Sequence, residues 1–154
     1  MQASRSTMFR TMLEVEATDN LRIHIREITH IELKYLLEFM YTGQLTIEAL
    51  EGHSRGLMLA AYKYDIPLLV EICEIYLISI LNLENALEAL VMASRLNCAN
   101  ALKEAAMNMI VVNSDSLLFT REYEEFAMKN PLLAVKVSQS IMQQDRFQKP
   151  PSDR

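Results

Sequence analysis

From Thr29 to Ile141 the apolar residues of this chain recur at intervals of three and four, and few residues of a helix-breaking kind interrupt them. That recurrence matches the 3.6-residue turn of a helix, which gathers such side chains on one face; a strand would need alternation at every second residue. The pattern therefore confines most of the chain to helices that bury one apolar stripe each. The chain has only 3 glycines and 4 prolines, while 51% of its 154 residues are apolar. A chain of this length can bury about two thirds of its unfolded surface, so the stripes have a core to enter.

The first helix is marked at both ends. Thr29 and Glu32 have capping-box spacing, and Ile28 and Leu33 have that of a hydrophobic staple. Leu33, Leu36, Leu37 and Met40 then form the predicted buried stripe, which stops at Gly43 in the segment FMYTGQL. A phosphate-binding loop requires several glycines ahead of Lys-Ser/Thr, so that successive backbone N–H groups converge on the anion. Gly43 stands alone and is predicted to be a left-handed helix stop.

Leu45, Thr46 and Leu50 repeat the staple and cap before a second helical face of Leu50, Leu57, Ala60, Ala61 and Tyr64. Gly52 and Gly56 weaken that helix by about 1 kcal/mol each relative to Ala. Asp65 and Pro67 mark the next start, with Leu69, Ile72, Cys73, Tyr76 and Ile80 on one stripe. Beyond Asn82, Leu83, Leu87, Leu90 and Val91 line one helix, and Leu102, Ala105, Ala106, Met109 and Ile110 another, joined at Asn97-Cys98. Ser114 or Asp115 caps a short turn, Thr120 a helix carrying Tyr123, Phe126 and Ala127, and Asn130-Pro131 a last helix with Leu132, Val135 and Ile141 inward. Short loops imply antiparallel helix pairs.

Only Leu21 to Ile25 alternates with period two, so it is the one predicted strand, and a lone strand needs a neighbour for its backbone groups. After Met142 the periodicity fails and Pro150-Pro151 follows; residues 143–154 are expected to form a disordered tail.

Several chemistries are disfavoured by the same residues. A net charge of −5 argues against a duplex-binding surface, which needs clustered cations, so no nucleic-acid partner is expected. No stretch reaches the ~18 apolar residues of a membrane span. Arg5, Arg10 and Glu14 break any signal-peptide core, so neither membrane nor export is expected. Cys73 and Cys98 lack CxxC spacing and read as reduced core thiols, which fits the cytoplasm or the nucleus. His24, His30 and His53 share no helix face with a second ligand, and no metal or other cofactor is expected. His53-Ser54 lacks any nucleophile-elbow context and reads as a solvated helix turn. Glu122, Glu124 and Glu125 read as a solvated face rather than paired catalytic carboxylates. Met12, Met40, Met58, Met92 and Met109 fall at core positions of the pattern. Tyr62 and Lys63 stand at a helix junction beside Tyr64, which fits the buried stripe; the first two are the exposed candidates for contact with a partner.

The ordered string SRSTMFRTMLE, LRIHI, ITHIELKYLLEFMYTGQL and LMLAAYKYDIPLLVEICEIYL resembles the second half of a BTB/POZ domain. The following LNLENALEALVMASRLNCANALKEAAMNMIVVNSDSL is similar to the 3-box or BACK-like helical extension of speckle-type POZ and plant BTB proteins. The resemblance implies a mainly α chain: the C-terminal half of the α/β BTB fold over residues 4–81 with one surviving strand, then antiparallel helix pairs over 82–142. It implies a chain truncated at the N-terminus, without the strands and first helix that form much of the family's dimer interface.

The function implied is a non-enzymatic adaptor that bridges a cullin scaffold of a RING ubiquitin ligase to a substrate, with a BTB homo- or heterodimer partner. At the cullin contact the family places a hydrophobic residue, any residue and Glu; the matching positions are Ala17, Thr18 and Asp19. The small Ala17 anchor weakens burial by about 1 to 2 kcal/mol relative to Met or Leu. The cullin-facing residues implied are thus Ala17, Asp19, Tyr62 and Lys63. The alternative is a regulatory decoy that pairs with full-length BTB relatives without recruiting a ligase.

Overall fold

The computed structural model describes residues 28–148. Among them every regular element is a helix and none is a strand, so the fold is mainly α. The predicted strand at Leu21 to Ile25 lies outside the described residues. The helices are α1 (His30–Thr42), α2 (Ile47–Lys63), α3 (Pro67–Ser79), α4 (Ala86–Arg95), α5 (Asn100–Val112), α6 (Ser114–Leu117), α7 (Arg121–Lys129) and α8 (Pro131–Gln148). They divide into two compact units, with the boundary between Ser79 and Ile80.

In the first unit the predicted caps of α1 and α2 are present atom by atom. Thr29 Oγ1 accepts the Glu32 N–H at 3.2 Å and Glu32 Oε2 accepts the Thr29 N–H at 2.9 Å, a complete capping box. Gly43 ends α1 at φ 74°, its N–H donating to the Phe39 carbonyl at 2.7 Å. Thr46 caps α2 by accepting the Ala49 N–H. The α2–α3 junction is tighter than the sequence suggests. Asp65 does not open α3; it takes φ 53° at the end of α2. The Ile66 N–H donates to Ala61 O and the Asp65 N–H to Tyr62 O, the two bonds of a Schellman motif, and the buried Ile66 supplies its apolar contact.

The core of this unit is Leu36, Phe39 and Met40 of α1, Leu57, Met58 and Ala61 of α2, and Leu69, Val70, Cys73 and Leu77 of α3. Helix α2 packs on both α1 and α3. Of the predicted stripes, Leu33, Leu50, Ile72 and Tyr76 are half-buried, Leu37 is 38% exposed, and Ile80, past the boundary of this unit, is 41% exposed. Phe39, Val70 and Leu77 fill those roles, because the line of contact with the neighbouring helix selects one arc of an apolar band wider than itself.

In the second unit a reciprocal asparagine pair leads into α4. The Asn82 N–H donates to Asn85 Oδ1, the Asn85 N–H to Asn82 Oδ1, and Asn85 Nδ2 to the Ile80 carbonyl. The buried face of α4 is Ala86, Ala89, Leu90 and Ala93, whose three alanines let α5 approach through Leu102, Ala106 and Ile110. Leu83, Leu87 and Val91, predicted as core, are only half-buried. Ala99 is buried in the α4–α5 turn, whereas Cys98 is exposed, which corrects its reading as a core thiol.

Helix α5 also packs on α8, and α8 on α7. Thr120 caps α7 as predicted, accepting the Tyr123 N–H at 3.2 Å. The Ser114–Leu117 turn has no side-chain cap; Asn113 precedes it and donates its amide to Met109 O. Helix α8 departs most from expectation. It continues to Gln148, through part of the segment expected to be disordered, and residues 149–154 lie outside the described residues. Its buried residue is Val137, while Leu132 and Val135 are 80% and 53% exposed.

Candidate functional site

The last turn of α2 and its Schellman exit fix the orientation of the predicted contact residues. Tyr62 and Lys63 are both exposed, and Tyr64 is 2% exposed, as its place in the apolar stripe requires. Lys63 Nζ lies 6.0 Å from the centroid of the Tyr64 ring, the outer limit of a cation–π contact. Leu59, one turn earlier, is also exposed, so Leu59, Tyr62 and Lys63 form an amphipathic surface at i, i+3 and i+4. Leu59 is absent from the predicted set although its spacing from Tyr62 identifies it. Ala17 and Asp19 lie outside the described residues.

The His53-Ser54 segment is not a solvated turn. Ser54 is buried, and His53 is half-buried between α2 and α1, with Nδ1 3.6 Å from Glu32 Oε1 and its ring 5.7 Å from that of Tyr35. Glu32 thus faces both its own helix cap and the next helix. No nucleophile and base are brought together by this arrangement: its polar atoms join two helices.

The second unit contains a cleft of about 410 Å³, lined by α4 with Glu84 before it and by α7 with Asn130 after it. Its apolar floor is Leu87, Val91 and Phe126, and its rim carries Glu84, Glu88, Glu122, Glu125, Arg95 and Lys129. Two readings of the sequence meet here. The sequence assigns Leu87 and Val91 to the core and Glu122 and Glu125 to a solvated face; the residues line one concavity because α4 and α7 are anchored through α5 and α8. Phe126 is itself buried and stacks at a tilt on Tyr123, with ring centroids 5.6 Å apart.

Cys73 is in the core of the first unit, and burial pushes its thiol pKa up to about 12, so it is neutral and unreactive at ordinary pH. Among the described residues no group of three His, Cys, Asp or Glu side chains gathers as metal ligands would. No described helix is long and apolar enough to cross a membrane.

Comparison with known proteins gives a consistent result. The BTB/POZ domain family profile matches residues 3–81. The chain is 37% identical over 147 residues to the BTB/POZ domain-containing protein At1g01640 of Arabidopsis thaliana, a match covering 94% of this chain and 70% of that protein. It is 35% identical over 147 residues to the BTB/POZ domain-containing protein At3g56230 of the same plant, covering 94% of this chain and 52% of that protein. A third, At5g48510, is 33% identical over 141 residues, covering 88% of this chain and 62% of that protein.

Proposed function

The chain belongs to the BTB/POZ domain family, and from that premise we propose that it is an adaptor of a cullin-RING ubiquitin ligase. The family domain is a protein-interaction module, and it occupies the part of the chain that carries the Leu59, Tyr62 and Lys63 surface. In this reading the surface, with Ala17 and Asp19, meets the N-terminal region of the cullin. A BTB partner pairs with the same domain, and residues 82–142 act as a 3-box or BACK-like extension. The mechanism is proximity: a substrate held beside the ligase reacts at a raised effective concentration, and no residue of the adaptor performs covalent chemistry. The proposed setting is the cytoplasm or the nucleus.

The observation that carries this reading is the family match over residues 3–81, supported by the fixed exposure of Tyr62 and Lys63 beside a buried Tyr64. Calorimetric titration of the purified chain with a cullin N-terminal region tests it. Binding weakened about tenfold by Tyr62→Ala with Lys63→Glu is expected, the effect of removing an aromatic anchor and its adjacent charge. Absence of heat at cullin concentrations of about 50 μM, where a functional contact registers, would sink the ligase reading.

A further inference from the structure

We draw no further inference here: the strongest candidate, the cleft between α4 and α7 with its floor of Leu87, Val91 and Phe126, is an apolar concavity with nothing in the structure to show what covers it, since its rim mixes Glu84 and Glu122 with Arg95 and Lys129 and Glu125 is already paired with Arg121.

Discussion

The carboxylate of Glu32 lies against the backbone of Gly56, in the space a β-carbon there would fill. Glu32 completes the capping box of α1 while Gly56, in the middle of α2, leaves room for it, so a locally unfavourable helix glycine is tied to contact between two helices. Gly52, one turn earlier on the same helix, faces open space: no neighbouring atom stands within 4 Å of where its β-carbon would be. Gly52→Ala is expected to stabilise the chain by about 0.5 to 1 kcal/mol, the ordinary gain in helix propensity. Gly56→Ala forfeits that gain, because the new methyl displaces Glu32 from a cap worth about 1 kcal/mol. Urea unfolding of both variants, and of Gly56→Ala in a Glu32→Ala background where the gain returns, checks the coupling.

At the α2–α3 junction, Asp65 holds a left-handed backbone that β-branched residues reach only with strain. Asp65→Val is expected to cost about 1 to 2 kcal/mol, from the crowding of its Cβ against the backbone. Asp65→Asn, which tolerates the same conformation, costs much less. Thermal unfolding of the two variants distinguishes this backbone requirement from mere loss of charge, since both remove the carboxylate.

The buried Cys73 thiol gives a pH dependence of defined sign. Its folded pKa is raised to about 12 from 9.0, so above pH 9 the unfolded chain releases a proton that the folded chain retains. Stability therefore falls as pH rises through that window, with a limiting slope of about 1.4 kcal/mol per pH unit from this group. Below pH 9 the contribution is flat. Cys73→Val removes it, and the difference in urea midpoints between wild type and variant, measured from pH 8 to 11, isolates the thiol from the lysines and tyrosines that titrate alongside.

On α4 the hydroxyl oxygen of Ser94 is buried without a hydrogen-bond partner. Ser94→Ala removes an unmet polar group and improves helix propensity, so a stabilisation of about 0.5 to 1 kcal/mol is expected. A rise in the thermal midpoint checks it; an unchanged or lowered midpoint would show that water or a rotated hydroxyl already satisfies the oxygen.

The sequence by itself determined several of the helix starts and stops. Thr29, Gly43, Thr46, Pro67 and Thr120 act through bonds to backbone groups within a few residues, or through their own φ preference, so their effect is legible without knowing the neighbours. Their order also carries the resemblance to BTB/POZ domains, which the family match supports. Asp65 is misleading in sequence for a related reason: the same residue type serves helix entries and left-handed exits, and only the bonds from Ile66 and Asp65 back to α2 distinguish them.

Tertiary structure decided which side of each helix is buried. Leu36 rather than Leu37, Leu90 rather than Leu87, and Val137 rather than Leu132 enter the core, although each pair is comparably apolar. A helix with an apolar band broader than its contact with a neighbour has several equivalent faces in sequence, and the partner helix selects one. The selection turned Leu87 and Val91 from presumed core into the floor of a cleft, and left Leu59 exposed beside Tyr62. The candidate binding surfaces of this protein are thus made from apolar residues that packing left over, a quantity fixed by the placement of helices remote in sequence.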